Sequence, residues 1–131
     1  MASARILIVD DDPDITEAMR VVLDHRGYQV DSAADSTMAL ERIKAKRPDL
    51  IILDVMMTTP QEGFVLSREL KRDPATQTIP ILMLTAVKDK TGIDFRPEAG
   101  DESWLPVEAF LDKPVKPDVL VQKVESLLRK T

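Results

Sequence analysis

Leu50-Ile51-Ile52-Leu53-Asp54 is the stretch on which the fold turns. An apolar run, β-branched in part, leads straight into a carboxylate. A run this short and this apolar reads as a strand covered on both faces. Its last residue then places a charge at the rim of a hydrophobic core. That costs free energy unless counter-charges or hydrogen bonds meet it. The rest of the chain is read for what surrounds Asp54.

Upstream, Arg5-Ile6-Leu7-Ile8-Val9 carries the same signature and also ends in acid, at Asp10, Asp11 and Asp12. Pro13 suits the first position of a helix behind an Asp cap. Ile15, Ala18, Met19, Val22 and Leu23 recur at helical spacing, which predicts one buried face. Gly27 stops that helix, and Tyr28-Gln29-Val30-Asp31 follows as a short strand. Asp35-Ser36-Thr37 offers caps for a second helix carrying Ala39, Leu40 and Ile43, which ends before Pro48.

Downstream, a loop through Thr58, Thr59 and Pro60 leads to Gly63-Phe64-Val65-Leu66, which opens a third helix. Leu70 lies on its inner face, and it ends near Asp73-Pro74. Ile79 to Thr85 reads as a fourth strand, with Pro80 tolerated near its start. From Ala86 to Pro106 no period is visible, which marks a short helix near Val87–Gly92 or a functional insertion. Val107 to Leu111 is a fifth strand. Pro117-Asp118 starts a last helix with Leu120, Val124, Leu127 and Leu128 inside. Strands alternating with helices predict an α/β fold, a doubly wound five-stranded parallel sheet with helices on both faces. Sites in such sheets lie at the carboxyl ends of the strands.

At 131 residues the chain is long enough for one domain, residues 1–131, with a real core. Its 44% hydrophobic and 31% charged residues are a soluble balance. A net charge of −5 argues against nucleic acid as a direct partner. With no Cys there is no disulfide, thiol nucleophile or Cys-based zinc site, and one His, His25, excludes a His-rich metal site. His25 itself reads as an exposed residue near a helix end. No apolar run approaches the ~18 residues that cross a bilayer. The first residues show no signal-peptide pattern, so a cytoplasmic protein with no membrane partner is expected.

The strand ends hold the chemistry. Strand one ends in Asp10 and Asp11, strand three in Asp54 and strand four in Thr85, and strand five is followed by Asp112-Lys113-Pro114. In a doubly wound sheet these ends converge on one rim. Two carboxylates ~4 Å apart at an effective dielectric of ~20 repel by roughly 4 kcal/mol. A hard divalent cation such as Mg2+ relieves this. A cation, an ammonium and a hydroxyl around one carboxylate form a cradle for phosphoryl oxygens, with Asp54 as a nucleophile that forms an acyl phosphate.

Four segments together resemble the receiver domains of two-component response regulators, which have a CheY-like, flavodoxin-like fold. They are Ile6-Leu7-Ile8-Val9-Asp10-Asp11, Asp49-Leu50-Ile51-Ile52-Leu53-Asp54, Ile79-Pro80-Ile81-Leu82-Met83-Leu84-Thr85-Ala86 and Phe110-Leu111-Asp112-Lys113-Pro114. The resemblance implies that Asp54 is the phosphoacceptor. It also implies that Asp11 binds Mg2+ directly, Asp10 largely through water, and Met56 through its backbone carbonyl. Lys113 pairs with the phosphoryl group, Thr85 swings to bond it, and Phe110 is the aromatic that turns with Thr85. The implied partners are a sensor histidine kinase or phosphotransfer protein and a downstream output partner or domain. The implied catalysis is confined to the domain's own phosphorylation and dephosphorylation.

Two departures from the family pattern stand out. Thr58 occupies the place where Pro is common, and Pro60 and Gly63 fall later than usual. Thr85 and Lys113 are also farther apart than usual, so the family's fourth helix is expected to be shortened, displaced or replaced by loop. Trp104 and Phe95 in that segment read as pins that hold it to the body, or as residues that meet a partner.

Two other readings compete. A pseudo-receiver would bind a partner without phosphorylation, but the acids, Thr85 and Lys113 are all present. A metal-dependent aspartyl phosphatase would use Asp10-Asp11-Asp12 as its Asp-x-Asp, yet Pro13-Asp14 follows where Gly and Thr are usual.

The resemblance places Met56 and Val87 beside the path of a water that attacks the acyl phosphate. Both are apolar, and neither orients water by hydrogen bonding. Loss of the phosphoryl group is therefore expected to be slow. Met56→Asn or Val87→Glu should speed its decay several-fold, measured as acyl phosphate remaining with time. Unchanged decay in both variants overturns the expectation.

Overall fold

The computed structural model describes residues 4–54, 62–85, 109–112 and 116–129. In chain order they form β1 (Arg5–Val9), α1 (Pro13–His25), β2 (Gln29–Ala33), α2 (Ser36–Ala45), β3 (Leu50–Asp54), α3 (Glu62–Arg72), β4 (Ile81–Thr85), β5 (Ala109–Asp112) and α4 (Pro117–Arg129). The strands make one parallel sheet in the order β2-β1-β3-β4-β5. β3 lies at its centre, and every residue of β3 is buried.

Strand side chains alternate between the two faces of a sheet, and each face here has its own core. On one face Leu7, Val9, Ile51, Leu53, Ile81 and Met83 meet Ala39 and Ile43 of α2 and Leu66 and Leu70 of α3. On the other, Ile6, Ile8, Leu50, Ile52, Leu82 and Leu84 meet Met19 and Leu23 of α1 and Leu120, Val124 and Leu127 of α4. The near-continuous apolar strands are thus explained by helices on both sides. The doubly wound α/β expectation holds.

Local chemistry sets the ends of the elements. The Asp12 carboxylate caps α1 by accepting hydrogen bonds from the backbone N–H of Asp14 and Ile15. Asp35 caps α2 by accepting from Met38 N–H at 2.8 Å. After α1 the chain reverses at Gly27, whose φ of +91° lies in the left-handed region that glycine enters freely. Tyr28 packs there against the α1 and α4 core. Burial and the nearby Glu125 carboxylate hold its phenol pKa above the ordinary 10.0.

The edge of the sheet away from Asp54 is tied by polar contacts. Arg47 donates to Thr78 Oγ1 at 2.8 Å and to the Ala75 carbonyl at 3.3 Å. Lys71 Nζ donates to the Ile79 and Gln77 carbonyls. The Arg47 bonds tie the turn that feeds β4 to the loop before β3, and the Lys71 bonds tie it to the last turn of α3. No helix among the described residues is long and apolar enough to cross a membrane.

Four sequence readings shift. Thr16, not Ala18, completes the buried face of α1, and Ala18 is exposed. At ~100° per residue, Thr16, Met19 and Leu23 cluster while Ala18 stands about 120° away. A small alanine gave no volume signal against that placement. β2 runs from Gln29 to Ala33 rather than from Tyr28 to Asp31, because its pairing with β1 continues to Val9. β4 starts at Ile81, since Pro80 has no N–H to donate to a ladder, although its carbonyl accepts from Ile51 N–H at 3.0 Å. The described β5 covers Ala109–Asp112 and so includes Asp112, while Val107 lies outside the described residues. The expectations for a fourth helix in the 86–106 segment, and for Phe95 and Trp104, also fall outside them.

Ile52 is fully buried at the centre of the α1/α4 face. Ile52→Ala is expected to cost about 2–5 kcal/mol of unfolding free energy in urea titrations, through lost burial and a residual cavity. Val21→Ala, at a position 57% exposed, should change it by less than about 0.5 kcal/mol. A cost of similar size at both positions would contradict this packing.

Candidate functional site

The sheet register brings the acids together. β1 and β3 are neighbours, with Val9 opposite Leu53. Each strand continues directly into a carboxylate, Asp10 after Val9 and Asp54 after Leu53. Asp10 and Asp54 are 4% and 3% exposed, and Asp11 is exposed. One carboxylate oxygen from each of Asp10, Asp11 and Asp54 lies within 4.8 Å of the others. The acidic part of the convergence expected from the strand ends is thus present.

Hydrogen bonds fix Asp10 from two sides. Its N–H donates to the Ala33 carbonyl of β2 at 3.0 Å. Its Oδ1 accepts from Asp12 N–H at 2.9 Å. Asp54 is held as the last residue of β3, in register with Leu84 of β4. The chain enters α1 immediately after the acids, so the positive end of that helix dipole offsets part of their mutual repulsion.

The remaining repulsion is large on the scale of fold stability. At ~5 Å and an effective dielectric of ~20, each pair of charges repels by roughly 3 kcal/mol. The ligand chemistry suits a hard divalent cation, because every donor is a carboxylate oxygen. The one His, His25, is exposed near the end of α1, as the sequence suggested, and no Cys exists. The residues present therefore fit a hard cation and could hold one.

Of the other predicted site residues, Thr85 ends β4 and is in register with Asp112 of β5. Its backbone thus stands on the same rim, one strand beyond Asp54. Phe110 lies in β5 opposite Met83. Met56 and Lys113 lie outside the described residues. Outside the competing Asp-x-Asp reading, sequence reasoning made Asp12 only a helix cap, and so missed its bond to Asp10. The signal was present: an Asp side chain readily accepts a hydrogen bond from the amide two residues on.

Comparison with known proteins agrees with this arrangement. Residues 6–125 match the family model described as the response regulator receiver domain. The DNA-binding dual master transcriptional regulator RpaA of Synechocystis sp. is 37% identical over 131 residues, covering 97% of this chain and 50% of that protein. The phosphate regulon transcriptional regulatory protein PhoB of Pseudomonas aeruginosa is also 37% identical, over 100% of this chain and 54% of that protein. The chain thus spans about half the length of these curated relatives. A high-resolution structure of chemotaxis response regulator CheY4 of Vibrio cholerae superposes with a TM-score of 0.79 at 28% identity, covering 96% of this chain and 99% of that one. An α/β sheet in the order β2-β1-β3-β4-β5, an acidic cluster at the ends of β1 and β3, and a family match over nearly the whole chain lead to one conclusion: the chain belongs to the response regulator receiver domains of two-component systems.

Proposed function

We propose that residues 1–131 form one receiver domain switched by phosphorylation of Asp54. The observation that carries this reading is the Asp54 carboxylate, 3% exposed at the end of the central strand and within 4.8 Å of the Asp10 and Asp11 oxygens. A nucleophile in that position is held still by the sheet and shielded from bulk water on most sides.

Transfer requires an Asp54 oxygen to attack phosphorus in line with the leaving group. The new O–P bond forms as the P–N bond of a phosphohistidine or phosphoramidate breaks, and the donor nitrogen leaves with its electron pair. Negative charge on the transferring oxygens is the main obstacle beside three carboxylates. Asp10, Asp11, Asp54 and the Met56 carbonyl would hold Mg2+, which supplies positive charge to those oxygens when bound. Lys113 would give a second positive charge. Thr85, at the end of the neighbouring strand, would bond the phosphoryl group after transfer. Phe110 on β5 would then follow Thr85 and carry the change to the β4–β5 side of the sheet.

Within this reading the domain catalyses only its own modification. Its phosphodonor is a sensor histidine kinase, a phosphotransfer protein or a small molecule, in the cytoplasm. Its output is a partner or further domain. Relatives named as DNA-binding regulators favour a transcriptional output, while the net charge of −5 argues that this domain itself does not touch nucleic acid.

Intact mass after incubation with Mg2+ and phosphoramidate tests the proposal. The protein should gain one phosphoryl group, while Asp54→Asn should gain none, and the gain should vanish with a chelator. No gain in the wild type, or an equal gain in Asp54→Asn, overturns it.

A further inference from the structure

We infer that Asp12 is a positioning residue for the cation site: its side chain fixes the backbone donor that orients Asp10. The inference rests on the reading that Asp10, Asp11 and Asp54 together hold a divalent cation.

A carboxylate has a broad terminal torsion, so its oxygens rotate readily unless a partner holds them. For Asp10 that partner includes the Asp12 N–H, 2.9 Å from Oδ1. The direction of the N–H depends on the backbone of residue 12, at φ −93° and ψ 108°. Three bonds run from Asp12 forward into α1 and hold that backbone. Its Oδ1 accepts from Asp14 N–H at 2.9 Å and from Ile15 N–H at 3.3 Å, and its carbonyl accepts from Thr16 N–H at 3.1 Å. The next residue is Pro13, whose ring fixes its own φ.

Asp12 therefore faces two ways. Forward, it is fastened to the first turn of α1. Backward, it holds a buried ligand oxygen. Its own carboxylate is engaged by helix amides, and it is not among the three acids that converge. Residues that orient metal ligands commonly set affinity without touching the metal. A plain cap would stabilise α1 and leave cation affinity alone, and this difference can be measured.

The test compares four neutral variants, so that the change in charge is the same in each. Asp12→Asn and Asp12→Ser keep a side-chain acceptor for the helix amides, whereas Asp12→Ala and Asp12→Leu remove it. Mg2+ dissociation constants are measured by calorimetry without phosphodonor, well below each variant's thermal midpoint. The Asn and Ser variants should bind alike, and the Ala and Leu variants about three- to tenfold more weakly, below the ~10–100-fold of a deleted outer partner because the N–H remains. Equal affinity in all four, with midpoints lowered only for Ala and Leu, would show a plain cap and overturn the inference. Wild-type protein that binds no Mg2+ would overturn the cation reading itself, whatever the variants do.

Discussion

Like charges held close together are the constraint on which this structure depends. Asp10, Asp11 and Asp54 bring carboxylate oxygens within 4.8 Å of one another at the end of a sheet with a hydrophobic core on each face. Such an arrangement is unfavourable by several kcal/mol unless positive charge is supplied. Carboxylates placed this way could hold a hard divalent cation. The two hydrophobic cores make the repulsion tolerable. They clamp β1 and β3 from both faces, so the strand ends cannot splay to relieve the repulsion.

The same clamp offers the proposed switch at Asp54 a route through the sheet. β3 pairs with β4, and β4 with β5, in continuous register from Asp54 through Leu84 and Thr85 to Leu111 and Asp112. Close-packed layers move between discrete arrangements rather than deforming smoothly. At the opposite end of the strands Arg47 and Lys71 pin the turn that enters β4. On the other side, Asp12 joins the acid cluster to α1, so the cluster is coupled to a helix as well as to the sheet.

Much of this was legible in the residues themselves. Leu50–Asp54 and Arg5–Val9 announced buried strands because fully covered strands are apolar throughout, and the acids that end them marked one rim of the sheet as the site. The parallel sheet with helices on both faces followed from the alternation of strands and helices. What stayed hidden had physical causes. Ala18 fits an apolar period but is too small to declare which side it faces. Pro80 reads as part of β4 by hydrophobicity, yet lacks the N–H a strand needs. Asp12 carries a cap signal strong enough to mask its second role, since the bond to Asp10 comes from its backbone. Thr85 was placed on the rim as the end of the fourth strand, whereas its role and that of Phe110 came only from the family resemblance, because a Thr or Phe in a strand is ordinary on its own.

The central claim is that the acids ending β1 and β3 form one cation site. Paramagnetic broadening of backbone amide NMR signals by substoichiometric Mn2+ tests it most directly, because Mn2+ shares the oxygen preference of Mg2+ and reports position without any phosphoryl chemistry. A single site there predicts that the signals of Asp10, Asp11, Asp12 and Asp54 broaden first, and that those of Asp14, Glu17 and Asp24 along α1 follow only at higher metal. Broadening that begins on the α1 acids, or spreads evenly over the acidic surface, would contradict it.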